Sequence, residues 1–287
     1  MTNDLLDSIG PAVISQKSIF LHGPSGNGKT TVAERLLRVY TDPIIVPYAV
    51  EVDGQIILTY EKGVHEIIDL PEDVDLDARW LPCKRPAISV GGELTGDQLS
   101  LRYDDTGGYY SAPLQMKANN GMLLIDDFGR QVNLSAKELL NRWIVPLDRQ
   151  KDYLSLKYGL KFEIPFQLMV VFSTNLKPSD LADDAFLRRI QNKIYISPVS
   201  DQVFDEIFER VASAQNIPHT ADTSRMLREY CHECGSKELR ACYPRDICEI
   251  LGSISKYEKT AISADPANIK RAAGLYFTTE EPDESFD

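Results

Sequence analysis

No stretch of these 287 residues approaches the ~20 consecutive apolar residues that a membrane-crossing helix needs. The opening segment, MTNDLLDSIGPAV, lacks the basic stretch and apolar core of a secretory leader. On both grounds the chain is expected to be soluble and cytoplasmic. Positive charge is also scarce: 31 Lys and Arg stand against 43 Asp and Glu, for a formal net charge of -12. Proteins that grip a nucleic-acid backbone usually present a basic surface. The balance therefore disfavours nucleic acid and favours a protein partner. Cysteines number five, an odd count, and four lie between Cys231 and Cys248. That argues for free thiols over a disulfide framework. Cys231-His-Glu-Cys234 has the spacing of half a zinc site, and Cys242 and Cys248 are the only further cysteines nearby. These two flank a helix start at Pro244, so buried structural cysteines are the preferred reading.

Glycine, by contrast, is concentrated where it has a use. Lys17 to His22 (KSIFLH) is a short apolar strand, and GPSGNGKT follows at once. This run, Gly23-Pro24-Ser25-Gly26-Asn27-Gly28-Lys29-Thr30, fits GxxxxGK[ST] in full, with Thr31 next. The glycines let the backbone curl so that its N–H groups face phosphate oxygens. Lys29 to Tyr40 then has helical apolar spacing, so a helix N-terminus points at the same place. Lys29 is placed to neutralise phosphate charge and Thr30 to hold a magnesium ion.

Further apolar strands end in polar residues. Gly121 to Phe128 (GMLLIDDF) delivers Asp126 and Asp127 to a strand's carboxyl end. Asp126 suits Mg²⁺, and Asp127 suits positioning of an attacking water. Gln167 to Thr174 runs into Asn175, a candidate to orient that water; Lys193 to Ser197 is another strand. Ser135 to Trp143 reads as a helix capped by Ser135 and Glu138. Arginines Arg188, Arg189 and Arg245 are candidates to stabilise charge on a transferring phosphoryl group.

In this order the pieces resemble the AAA+ ATPases from about Lys17 to Tyr276. Gly23 to Thr30 matches Walker A, Met122 to Asp127 matches Walker B, and Asn175 matches sensor 1. Arg189, with Arg188 as runner-up, matches the arginine finger, and Arg245 in YPRD matches sensor 2. The resemblance implies an α/β fold, a P-loop five-stranded parallel sheet with a small helical lid. It also implies ATP bound with Mg²⁺ between subunits of a ring, usually a hexamer. Tyr153 to Pro165 resembles the hairpin that MoxR-type members and enhancer-binding activators carry before sensor 1. Gly91 to Gly96 (GGELTG) loosely resembles the activators' GAFTGA loop. Most members end Walker B in Asp-Glu, whereas Asp126-Asp127 is the pattern of helicase-loader and transposition-helper members.

The expected organisation is a nucleotide-binding domain over residues 1–199, with an insertion over about 50–120 and a hairpin over about 152–165. A helical lid over 200–278 and an acidic, mobile tail over 279–287 complete it. The expected activity is ATP hydrolysis that remodels a protein client, with Gly107-Gly-Tyr109-Tyr110 either reaching a central pore or packing the insertion. The alternatives are a nucleotide-gated loader for a DNA-associated complex and a module like the enhancer-binding activators.

Overall fold

The computed structural model describes residues 3–36, 39–71, 76–181, 187–234 and 238–277. The tail over 279–287 falls outside them. The chain divides into two compact units, one of Met1–Gly23 with Lys29–Ile196, the other of Pro24–Gly28 with Ser197–Asp287.

The first unit opens with helix α1 (Asn3–Ser15), strand β1 (Ile19–His22) and helix α2 (Lys29–Leu36). Strands β2 (Ile44–Pro47), β3 (Ala49–Val52), β4 (Gln55–Leu58), β5 (Trp80–Cys83) and β6 (Ala87–Val90) follow. Next come β7 (Arg102–Asp104), β8 (Tyr109–Ser111), a short helix α3 (Leu114–Lys117) and β9 (Met122–Ile125). Helix α4 (Ala136–Arg149) leads into the hairpin β10 (Lys151–Ser155) and β11 (Lys161–Pro165), then β12 (Met169–Thr174). A single helical turn α5 (Pro178–Leu181) and β13 (Asn192–Tyr195) close the unit.

Five strands form one parallel sheet in the order β13-β1-β12-β9-β6. Alternate residues of the central strands feed two cores, as side-chain alternation requires. Phe20, Leu123, Ile125, Val170 and Phe172 join Trp143, Leu139 and Leu140 of α4. Ile19, Leu21, Met122, Leu124, Met169 and Val171 join Ile9 and Ala12 of α1 and Val32, Ala33 and Leu36 of α2. Helix α4 starts as expected: Ser135 Oγ accepts from the Glu138 N–H, and the Glu138 carboxylate accepts from the Ser135 N–H at 2.9 Å.

Two expectations need correction. The span 50–120 is not one insertion, because β6 within it is the outer strand of the main sheet. Its AISV alternates exposed and buried residues, an edge pattern and not a continuous apolar run. The irregular stretch before it also holds β5, which pairs antiparallel with β2. What does project is a four-stranded sheet, β3-β4-β8-β7.

Tyr110 is the second correction, since it faces no pore. It is 2% exposed, packed with Ile57, Ala112 and Leu156. Its hydroxyl accepts the Lys157 N–H at 2.9 Å. This small core joins the projecting sheet to the tip of the β10–β11 hairpin, which the expected turn at Tyr158-Gly159 forms, with Gly159 at φ 92°. Tyr158 Oη donates to Asp53 at 2.6 Å, and Lys157 Nζ to Asp105 at 2.9 Å.

The second unit is helical: α6 (Asp201–Ala214), α7 (Ala221–Cys234), α8 (Tyr243–Glu258) and α9 (Pro266–Tyr276). Its core includes Phe204, Phe208, Leu227, Ile247, Leu251 and Ile269, together with Cys231 and Cys248. Within this unit Gly26 O accepts the Cys242 N–H at 2.9 Å, and Asn27 Oδ1 accepts the Ala241 N–H at 3.3 Å.

Candidate functional site

Four segments of the first unit meet at the carboxyl ends of β1, β9 and β12. Lys29, first residue of α2, is 6% exposed. Its Nζ donates to Gly23 O at 3.0 Å and to Asn175 Oδ1 at 2.5 Å. Burial pulls its pKa down, and the nearby carboxylates of Asp126 and Asp127 oppose that. The same ammonium, after burial, depresses His22 at the end of β1. Thr30 Oγ1 donates to Asp126 Oδ2 at 2.7 Å. Asn175 Nδ2 lies 3.4 Å from Asp127 Oδ1, at the outer limit of a hydrogen bond. Lys29, Thr30, Asp126, Asp127 and Asn175 therefore stand together, although they lie up to 146 positions apart.

The backbone is shaped for this. Gly23 has φ 144°, and a Cβ there would stand 2.3 Å from Ile196 O, so no other residue fits. Gly26 (φ 81°) and Gly28 (φ 85°) continue the curl. Asp127 takes the left-handed conformation too, at φ 47°, without being glycine. The turn it heads is tied to β12: the Phe128 N–H donates to Ser173 O at 2.8 Å, and Thr174 Oγ1 donates to Phe128 O at 2.7 Å.

Three-dimensional comparison decides the architecture. NtrX from Brucella abortus superposes with a TM-score of 0.58 at 13% identity, covering 99% of this chain and 56% of its own. The same protein in complex with ADP gives 0.57 at 12%, over the same shares. RuvB from Thermotoga maritima, as a point mutant, gives 0.56 at 13%, over 95% of this chain and 69% of its own. The fold is that of the AAA+ P-loop ATPases. Identities this low make it a likeness of fold, and this chain spans little more than half of NtrX. Residues 200–275 match a family model described as a domain of unknown function, DUF8689. No curated protein matches the chain.

Within this AAA+ fold Arg188 and Arg189 stand apart from the cluster. Arg189 Nε lies 3.4 Å from Asp148 Oδ2 of α4. With Arg188 it lines a cavity of about 160 Å³ beside Lys17, Ser18, Leu168 and Gln191. Those residues mark the amino ends of β1, β12 and β13, the opposite edge of the sheet from Lys29. Arg188 is exposed and Arg189 half-buried. Arg245, in the second unit, is exposed and pairs with Asp246 and Glu249 of its own helix, at 3.2 and 3.9 Å. The GGELTG segment is no protruding loop: Leu94 is 1% exposed in the core beside β6 and β9.

One residue of the site escapes sequence reasoning. Gln131 is buried just behind Asp126-Asp127 and contacts both of their carbonyls. Nothing in GRQVN marks it, because a glutamine in a polar loop is ordinary. Among the described residues there is no cluster of three or more metal-ligating side chains. Nor is any described helix long and apolar enough to cross a membrane.

Proposed function

We propose that this chain binds ATP with Mg²⁺ and hydrolyses it, as a MoxR-like AAA+ ATPase carrying a hairpin before sensor 1, to remodel a protein client. One observation carries the reading: Lys29, Thr30, Asp126, Asp127 and Asn175 form a single hydrogen-bonded set at the carboxyl edge of the sheet. The set suits the ligands. Lys29 is a buried cation at the head of a helix that follows a glycine curl, a setting for phosphate. Thr30 and Asp126 present hard oxygens side by side, the donor type magnesium takes. When bound, that ion would neutralise charge on the phosphates. Asp127 would orient the attacking water, and Asn175, touching both Lys29 and Asp127, would link water to phosphate. A complex of NtrX with ADP is consistent with a nucleotide here.

The arginines suit a homo-oligomeric ring, usually hexameric in this family. Arg189, or the more exposed Arg188, would serve the nucleotide of a neighbouring subunit, and Arg245 would act from the lid. Connectivity supports the remodelling part. β11 leads into β12, which Asn175 follows, while the hairpin tip is bonded to the second sheet. A change at Asn175 on hydrolysis thus has a covalent and hydrogen-bonded route to a client-facing surface.

Lys29→Ala should abolish nucleotide binding. Asp127→Asn should keep binding and slow turnover on the order of 100-fold or more. Fluorescent-nucleotide titration and phosphate release measure the two, and unimpaired turnover in Asp127→Asn would falsify the assignment. A second reading, a nucleotide-gated loader on DNA, is favoured by Asp127 standing where most members have Glu. It requires slow turnover that DNA alters, with DNA affinity that falls as salt rises. Fast turnover indifferent to DNA removes it.

A further inference from the structure

The side-chain amide of Gln131 has only one way round. The Gly129 N–H donates to its Oε1 at 2.9 Å, which turns Nε2 the other way. There Nε2 lies 3.3 Å from each of three carbonyl oxygens, those of Gly91, Asp126 and Asp127. The two amide hydrogens are therefore shared among three acceptors. Gly91 follows β6, and Asp126 and Asp127 follow β9, so one side chain staples the exits of two neighbouring strands behind the carboxylates.

The staple sits where the backbone needs holding. Asp127 at φ 47° occupies a conformation that non-glycine residues leave unless the surroundings fix them. Its carbonyl is held by Gln131 and by the Arg130 N–H at 3.0 Å. Its N–H is held by Asp126 Oδ1 at 3.0 Å. The direction of the Asp127 carboxylate toward Asn175 follows from that backbone.

We infer that Gln131 is a positioning residue for hydrolysis: its side chain bonds to backbone alone and fixes the turn that aims Asp127. This rests on the hydrolytic reading above. Gln131→Glu tests it most directly, since it keeps the acceptor for Gly129 and sets an acceptor against the three carbonyls in place of the donor. Gln131→Ala removes both. With Mg²⁺ and ATP, both variants should lose roughly 10–100-fold in kcat, the usual range for a partner that orients a site ligand. KM should stay within about threefold, because substrate binding is untouched. The thermal midpoint should fall in both variants, because each leaves carbonyls that Gln131 held without their donor, so kcat is read well below either midpoint. Hydrogen exchange over residues 125–132 should accelerate about tenfold in Gln131→Glu. A kcat within twofold of wild type in Gln131→Glu overturns the inference, as does a loss confined to KM. If the wild-type chain shows no turnover at all, the hydrolytic reading fails, and the exchange measurement alone decides whether Gln131 holds the turn. Unchanged exchange then overturns the staple itself.

Discussion

At the scale of single residues, Asp127 joins two demands that conflict. Its carboxylate must face Asn175, and its backbone pays with a left-handed φ. Glycine would adopt that conformation without the Cβ penalty. Asp127→Gly should therefore raise stability by about 1 kcal/mol, read as a higher denaturant midpoint, while removing hydrolysis. A fall in stability would show that the turn is held by the carboxylate and not strained by the Cβ. The cysteines give a second residue-scale outcome. Burial pushes the thiols of Cys231 and Cys248 up from 9.0 to about 12. A raised folded-state pKa gives stability that is fully present below pH 9.0 and is lost as pH climbs toward 12. Thermal midpoints of wild type should fall across that window, and those of Cys231→Ala should fall less steeply from a lower start. Identical slopes would mean that the thiols do not drive alkaline unfolding. The same burial leaves exposed Cys234 as the first of these to react with a thiol reagent at pH 8.

Among elements, legibility in the sequence followed burial on both faces. β1, β9 and β12 are continuous apolar runs because helices cover both sides of them, and such runs stand out. β6 is the sheet's edge, with alternate residues exposed, and its four residues sit between Pro86 and Gly91. α1 was hidden for another reason: Gly10-Pro11 reads as a break, yet Pro11 lies inside the helix. Tyr110 is ambiguous in the sequence, because a glycine-flanked aromatic suits a pore or a packed sheet alike, and only its burial decides; Gly108 supplies the positive φ (70°) between β7 and β8. The residues at the carboxyl strand ends were legible, since a polar residue closing an apolar strand is conspicuous. Their mutual bonding was not, and neither was Gln131. Tyr110→Phe should cost about 1 kcal/mol for its lost bond to the Lys157 N–H. Tyr110→Ala should cost about 3–5 kcal/mol, as large core truncations do. Chemical denaturation would check both. A neutral Tyr110→Ala would mean that the hairpin tip and the projecting sheet are not truly packed together.

For the whole molecule, an acidic chain with a nucleotide-type site has a plain electrostatic consequence. The net charge of -12 opposes anionic partners at long range, so the proposed phosphate recognition would have to be local, through Lys29 and the glycine curl. Arg189 lies at the amino edge of the sheet, paired with Asp148, whereas Lys29 lies at the carboxyl edge. In the proposed ring a second subunit would bring the two together, so the sequence of one chain offers Arg189 only as a residue type. Mixing Lys29→Ala subunits with Arg189→Ala subunits should restore some turnover that neither has alone. Failure in mixed rings of confirmed assembly would exclude Arg189 as the group acting across the interface. The bonds from Gly26 and Asn27 to Cys242 and Ala241 carry a consequence for biosynthesis. The Asn27 and Ala241 partners are 214 positions apart. On the ribosome Gly26 and Asn27 wait for these partners until Ala241 and Cys242 have been made. At elongation rates of roughly 5–20 residues per second that wait lasts on the order of ten to forty seconds. A chain stalled before residue 241 would hold a complete parallel sheet and a loop still without its last two partners.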